Sequence, residues 1–155
     1  MSLKSFAAKI FAKNIAKKTA KWVNNPIQTQ EKVFQSLISN AKNTEFGKDH
    51  NFSQIKSHSD FANKVPIRDY EELKGYVEKV VAGQKDILWP GKPAYFAKTS
   101  GTTSGVKYIP ITHESIKYQV EASRNAILNY IHETGNADFV DGKMIFLQGS
   151  PEMKE

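Results

Sequence analysis

Apolar side chains recur every three or four residues through most of the first half of the chain, a spacing typical of helices with one buried face. The pattern predicts a first helix that ends at Pro26, a second with Thr29 as its N-cap, a short one around Phe61 and a third that begins at Asp69. Pro26 ends the first helix because a proline pushes the preceding residue out of helical geometry. The first half of the chain is therefore predicted to be helical.

Capping residues and glycines set the limits of these helices. The second helix is expected to break at Gly47. Asp69 is a suitable N-cap because Glu72 follows three residues later, and Gly83 is a suitable C-terminal stop. The third helix is therefore predicted between Asp69 and Gly83.

The second half of the chain begins with short extended segments. Prolines and glycines alternate with aromatic and β-branched residues in ILWPGKPAYFAKTSG, which favours strands and turns. Residues 107–112 are predicted to be extended, and Pro110 restricts them to an edge strand or a strand end.

A long helix and a buried strand are predicted for the last part of the chain. The helix begins at Thr112, with Ser115 as an alternative cap, and ends at Gly135. Residues 144–147 form a compact apolar run, and only eight residues follow them. A strand buried in a parallel sheet needs neighbours on both sides. We therefore expect an α/β fold of which this chain is a truncated part.

Composition fits a soluble globular domain of ordinary size. The 155 residues are 39% apolar and 25% charged. No apolar run approaches the roughly 20 residues that a membrane-spanning helix needs. The chain has no cysteine, which excludes a disulfide framework and a thiolate metal site and suits a cytoplasmic protein.

The positive charge of the chain is confined to its N-terminus. Of the net charge of +6, all comes from residues 1–24, which contain six lysines and no acidic residue, and the remainder carries 16 basic and 16 acidic side chains. A nucleic-acid-binding domain would carry a basic face on its folded body. We therefore predict no nucleic-acid partner.

Residues 1–24 are predicted to form a separate, basic amphipathic helix with one stripe of apolar side chains, namely Leu3, Phe6, Ile10 and Ile15. Three roles remain open for it. The stripe packs on the domain while the lysines face water, or the helix contacts an anionic membrane or an acidic partner, or it is an organelle transit peptide. The absence of arginine from the segment weakens the third role.

The stretch KTSGTTSGVKYIP, residues 98–110, is the strongest candidate for chemistry. Ordering its glycines costs conformational entropy, which a bound anion would offset. A Walker P-loop is excluded, because three residues instead of four separate Gly101 from Gly105 and no helix follows. A loop between two strands fits better: turn N–H groups and hydroxyls donate to phosphate oxygens, and Lys107 adds a positive charge.

The segment TSGTTSGVK resembles the phosphate-binding signature of the adenylate-forming ANL superfamily, which includes acyl-CoA synthetases and luciferases. Its continuation as Lys107-Tyr108-Ile109-Pro110 is similar to the auxin-responsive acyl acid–amido synthetases, although the loop is one residue shorter before the lysine. The segments QEKVFQSLISNAKNTEFGKDH, VPIRDYEELKGYVEKVVAG and ILWPG resemble the N-terminal helical part of the same family, particularly its bacterial members.

The resemblance implies a helical N-terminal part followed by the start of the large ANL-type N-terminal domain, with residues 25–155 as an incomplete portion of it. It implies an enzyme that uses ATP and Mg²⁺ to convert a carboxylic acid into an acyl-adenylate, from which an amino acid amine takes the acyl group. It places the ATP phosphates on Ser100, Gly101, Thr102, Thr103, Ser104, Gly105 and Lys107. It assigns no catalytic residue, and the sequence shows no carboxylate set for Mg²⁺.

Two other functions remain open at this point. One is an acyl-CoA ligase of the same superfamily. The other is a non-catalytic helical module whose basic helix docks on a membrane or an acidic partner. If the chain is part of an adenylating enzyme, we expect it to be inactive alone, because the remaining motifs of such a site lie outside it.

The other candidate residues are weaker. The histidines lack the spacing of metal ligands and are interpreted as surface or capping residues: His50, His58, His113 and His132. The acids Asp69, Glu71 and Glu72 are interpreted as first-turn residues that complement the helix dipole. The aromatic residues near the predicted strands are interpreted as core, with an acyl pocket as the alternative: Trp89, Tyr95 and Phe96. No metal site is predicted.

Overall fold

The computed structural model describes residues 2–99, 105–143 and 145. Its α-helices are α1 (Leu3–Val23), α2 (Pro26–Ala41), α3 (Glu45–Asp49), α4 (His58–Lys64), α5 (Tyr70–Val81) and α6 (His113–Thr134). Strands β1 (Tyr95–Lys98) and β2 (Tyr108–Ile111) form a two-stranded antiparallel sheet, and short 3-10 turns cover Phe52–Gln54 and Asp138–Asp141. The predicted fold class, a helical N-terminal part followed by the first strands of an α/β fold, is confirmed.

The second helix begins earlier than predicted. Pro26 is its first residue, a position that proline favours because the missing N–H has no helical partner there. Thr29 lies inside α2, where its hydroxyl donates to the carbonyl oxygen of Asn25 at 2.8 Å. The prediction that Thr29 caps the helix is therefore wrong.

The prediction that the second helix breaks at Gly47 is wrong, because α2 ends at Ala41 and Gly47 lies inside α3. Its N–H donates to the hydroxyl of Thr44, which caps this helix, at 3.0 Å. A Cβ at position 47 would lie 2.1 Å from the carbonyl oxygen of Ala41 at the end of α2. Glycine is needed here because two backbone segments approach each other closely.

The limits predicted for α5 are confirmed. The carboxylate of Asp69 accepts from the N–H of Glu72 at 3.0 Å, and the carboxylate of Glu72 accepts from the N–H of Asp69 at 3.0 Å. Gly83 follows the helix with a φ of +83°, in the left-handed region that favours glycine. Asp69 and Glu72 form the predicted capping pair, and Glu71 lies in the first turn of the helix, as interpreted.

The limits predicted for α6 are confirmed as well. The hydroxyl of Thr112 accepts from the N–H of Ser115 at 3.1 Å, so Thr112 is the cap. Gly135 follows the helix with a φ of +68°.

The strand predicted at 144–147 falls outside the described residues, apart from Ile145, and stays a prediction. No helix among residues 2–99, 105–143 and 145 is both long and apolar enough to cross a membrane.

The chain divides into two compact units. One comprises the described residues of Asn25–Val120, and the other combines the described residues up to Asn24 with those from Glu121 onward. In the latter, α1 packs against the C-terminal part of α6 through a small apolar core of Ala12, Ile15, Leu128, Ile131 and Ala137.

Only part of the apolar stripe predicted for α1 is buried. Ile15 packs in the core, but Leu3, Phe6 and Ile10 are 84%, 56% and 50% exposed. At about 3.6 residues per turn these three side chains lie on the face opposite to Ala12 and Ile15. The four predicted residues therefore do not form one stripe. Ile15 lies on the face that packs in the core, and Leu3, Phe6 and Ile10 lie on a second face that the described residues leave exposed.

The core of the Asn25–Val120 unit lies between its short helices. Buried residues of α2 and of the segment after α3 form it, namely Ile38, Ala41, Phe52 and Ile55, with partly buried aromatic and aliphatic side chains around them. Strand β2 packs against α5. This packing positions the β1–β2 hairpin in the same unit.

Candidate functional site

The hydroxyl-rich loop connects β1 to β2, as the sequence predicted. The strands pair from Tyr95 opposite Ile111 to Lys98 opposite Tyr108. Beyond the last pair, the N–H of Thr99 donates to the carbonyl oxygen of Lys107 at 3.1 Å. The two ends of the loop therefore lie side by side.

The residues assigned to phosphate binding divide into two groups. Five of them lie outside the described residues, and their contacts stay predictions: Ser100, Gly101, Thr102, Thr103 and Ser104. Gly105 and Lys107 are described. Gly105 is exposed and has a φ of +78°, which glycine adopts without steric cost. Turns whose successive backbone N–H groups bind an anion also contain a residue in the left-handed conformation.

Lys107 is half-buried, and its side chain faces a tyrosine of α5. Its Nζ lies 5.4 Å from the centroid of the Tyr70 ring, within the range of a cation–π interaction. The hydroxyl of Tyr70 accepts from the backbone N–H of Tyr108 at 2.9 Å. One tyrosine therefore contacts both the lysine and the strand that carries it.

Sequence reasoning missed Tyr70. It is the first residue of α5 and directly follows Asp69, so the capping box fixes its backbone. A signal was present in the segment VPIRDYEELKG. Capping explains Asp69 and Glu72, but it does not explain the tyrosine between them.

The aromatic residues that were interpreted as core occupy different environments. Tyr95 is 68% exposed, so this interpretation is wrong for it. Phe96 is half-buried and packs edge-on against Tyr108, with ring centroids 6.2 Å apart. Trp89 packs against the core cluster of the Asn25–Val120 unit, as interpreted.

An open apolar cleft of about 470 Å³ lies beside that core. Side chains of α2, α3 and α4 form its walls together with Trp89, among them Phe34, Leu37, Phe46 and Phe61. Neither Tyr95 nor Phe96 lines it. The alternative role of Trp89, Tyr95 and Phe96 in an acyl pocket stays a prediction.

No three His, Asp or Glu side chains form a possible metal site within the part of the chain that the structure describes.

His50 follows α3 as its C-cap residue and is buried. Its ring stacks on Phe46 at 4.1 Å, and its Nδ1 lies 2.8 Å from the carbonyl oxygen of Phe46. The interpretation of His50 as a capping residue holds, whereas the surface interpretation is wrong.

The carboxylate that follows β2 most closely is part of a helix start. The backbone N–H of Glu114 itself and the hydroxyl of Thr112 hold the pKa of the Glu114 carboxyl below its usual value. Glu114 is therefore ionised at neutral pH and bonded to the first turn of α6. It does not offer the raised pKa of a general acid.

Comparisons with known proteins agree with the resemblance to the acyl acid–amido synthetases. Residues 15–154 match the GH3 family N-terminal domain. The indole-3-acetic acid-amido synthetase GH3.15 of Arabidopsis thaliana is 29% identical over 114 residues, which are 72% of this chain and 19% of the relative. The corresponding synthetase GH3.4 of the same plant is 32% identical over 94 residues, 59% of this chain and 16% of the relative.

A third relative is named for a different acid. The jasmonoyl–L-amino acid synthetase JAR4 of Nicotiana attenuata is 23% identical over 128 residues, which are 81% of this chain and 22% of the relative. The chain thus spans about a fifth of the length of the relatives that it matches. Because the family match includes α2 to α6 and the hairpin between them, this chain belongs to the GH3 family, within its N-terminal domain.

Proposed function

We propose that this chain carries the ATP-phosphate-binding hairpin of an acyl acid–amido synthetase. The complete protein would adenylate a carboxylic acid and transfer the acyl group to the amine of an amino acid. The observation that carries the proposal is the hydroxyl-rich loop between β1 and β2, with Lys107 where it enters β2. The relatives, which are named amido synthetases, support the same reaction class.

The chemistry explains why such a loop is needed. A carboxylate oxygen attacks the α-phosphorus of ATP, pyrophosphate leaves, and the amine then attacks the activated carbonyl carbon and displaces AMP. The protein contributes mainly positioning and stabilisation of the negative charge on the phosphates. The hydroxyls of Thr102 and Thr103, the backbone around Gly105 and the ammonium of Lys107 are suited to this task.

Mg²⁺ is expected to accompany the nucleotide. The described part of the chain offers no set of carboxylate ligands for it. The contribution that we propose for the hairpin consists of N–H, hydroxyl and ammonium donors.

We also propose a finer placement, supported by the sequence resemblance. The protein would be a bacterial-type member of the amido synthetases, within the ANL superfamily, and would act in the cytoplasm. The relatives are named for indole-3-acetic acid and for a jasmonoyl product. At these identities we propose only the class of the substrate, a small carboxylic acid.

The complete protein is expected to catalyse exchange of labelled pyrophosphate into ATP only when a suitable carboxylic acid is present, because adenylation is reversible. A panel of aromatic and aliphatic acids, each with ATP and Mg²⁺, identifies the acid. Mass spectrometry after addition of amino acids and coenzyme A together should show the amide. A thioester as the sole product would favour a CoA ligase, and no exchange with any acid would contradict the proposal.

A second candidate function, docking on an anionic membrane, is favoured by the uncovered face of α1. Leu3, Phe6 and Ile10 are exposed on that face, and residues 1–24 carry six lysines without an acid. Apolar side chains enter the interface of a bilayer, while each lysine near an anionic surface contributes about 1 kcal/mol. This role is compatible with the enzymatic one.

Vesicles containing phosphatidylserine are expected to co-sediment the protein at low salt, with release as the salt concentration rises, because screening weakens the attraction of the lysines. Replacing Leu3, Phe6 and Ile10 together by Gln should abolish the binding without touching the α1 core. Ile27→Gln, at an exposed apolar residue of α2, is the matched control and should change nothing. Equal binding to neutral vesicles would contradict the role of the lysines, and no binding to anionic vesicles would exclude membrane docking.

A further inference from the structure

We propose that Tyr70 is a positioning residue that holds Lys107 in place for the phosphates of the bound nucleotide. The inference rests on the proposed function and assigns a role to a residue outside the loop. Tyr70 lies in α5, far from the hairpin in sequence, and contacts it at Tyr108 and Lys107.

Lys107 is restrained at three points. Its carbonyl oxygen accepts from the N–H of Thr99 at 3.1 Å, which ties it to the end of β1. The next N–H, that of Tyr108, donates to the hydroxyl of Tyr70 at 2.9 Å. Its ammonium lies 5.4 Å from the centre of the Tyr70 ring. Two of the three restraints therefore come from one side chain.

The bond to Tyr108 meets a need of strand β2. In the described residues the sheet has two strands, so each strand has an outer edge without a ladder partner. A buried or half-buried N–H on such an edge needs another acceptor. The Tyr70 hydroxyl is that acceptor, and it fixes the distance between β2 and the start of α5.

A tyrosine suits this task better than a carboxylate. The ring attracts an ammonium group through its negative face, but a neutral tyrosine does not cancel the positive charge that a phosphate must meet. An Asp or Glu in the same place would neutralise that charge. Tyr70 thus orients Lys107 and leaves its charge available.

Orientation before binding has a direct consequence for nucleotide affinity. The lysine side chain is long and flexible, so ordering it against a ligand costs much rotamer freedom. Part of that ordering is already present when Tyr70 restrains the residue, which improves binding. The capping box at Asp69 and Glu72 makes the support rigid, because it fixes the first turn of α5.

The test is a double-mutant cycle on acid-dependent ATP–pyrophosphate exchange by the complete protein. Tyr70→Leu, which removes the ring and the hydroxyl, is expected to raise the KM for ATP about ten-fold. Tyr70→Phe, which keeps the ring, should raise it roughly three-fold. In a Lys107→Met background, Tyr70→Leu should change the KM by less than about two-fold, because the residue that it positions is gone.

Controls separate positioning from folding. Tyr118→Leu removes an exposed tyrosine of α6 and should leave the KM unchanged. Circular dichroism checks that each variant is folded. If Tyr70→Leu does not fold, Tyr70→Phe still tests the proposal. An unchanged KM in both Tyr70 variants, or the same rise with and without Lys107, would overturn this inference alone. Absence of exchange in the unmodified protein would overturn the proposed function and this inference with it.

Discussion

Replacing Thr102 and Thr103 together by Ala is expected to lower acid-dependent ATP–pyrophosphate exchange by the complete protein at least about 100-fold. In the proposed site these hydroxyls donate to phosphate oxygens whose negative charge grows as pyrophosphate leaves. Removing one such donor from an enzyme typically costs a factor of about 100 to 1,000 in rate. Initial rates of label exchange at saturating acid measure the effect.

The fold should survive this double substitution, because pairing of β1 with β2 and the bond between Thr99 and Lys107 fix the ends of the loop. The matched control removes two other threonine hydroxyls, in Thr29→Ala with Thr134→Ala. Each of these donates at 2.8 Å to a carbonyl oxygen one helical turn earlier, at Asn25 and Tyr130. The control should exchange like the unmodified protein. Full exchange by the loop variant would mean that the phosphates bind elsewhere.

Gly47→Ala is expected to lower the free energy of unfolding by roughly 1–3 kcal/mol or more. The added methyl group would lie 2.1 Å from the carbonyl oxygen of Ala41, so the backbone of α2 or α3 must shift. Replacing a helical glycine by alanine normally raises the free energy of unfolding by roughly 1 kcal/mol. The cost of the backbone shift is expected to outweigh this gain. Urea denaturation followed by circular dichroism measures the change.

Gly75→Ala is the matched control, since the same substitution is made inside α5, where no atom apart from the adjacent residues and the local helix backbone lies within 4 Å of the new Cβ. It should raise the free energy of unfolding by up to about 1 kcal/mol. The two variants are therefore expected to have opposite signs. Stabilisation by both would show that α3 does not approach the end of α2 as closely as described.

The sequence alone determined where α5 and α6 begin and end. The carboxylates of Asp69 and Glu72 each accept from the backbone N–H of the other residue, three positions away. The hydroxyl of Thr112 accepts from the backbone N–H of Ser115. Such signals are local, so they can be identified without knowing the rest of the fold. The hydroxyl-rich loop between two strands was predictable for the same reason, because its glycines and the flanking aromatic and β-branched residues are neighbours in sequence.

Only the tertiary structure decided the role of Gly47 and the buried face of α1. Local propensity predicts a break at a glycine, but the contact with Ala41 requires one inside a helix. Likewise, the spacing of apolar residues in α1 does not say which face meets Leu128 and Ile131, which are more than 100 residues away.

The same holds for Tyr70, whose hydroxyl meets an N–H 38 residues further along the chain. Caps and turns are decided by groups a few residues apart, and the sequence displays both partners together. A contact between α5 and β2 depends on how separate elements pack, and no spacing within either element encodes it.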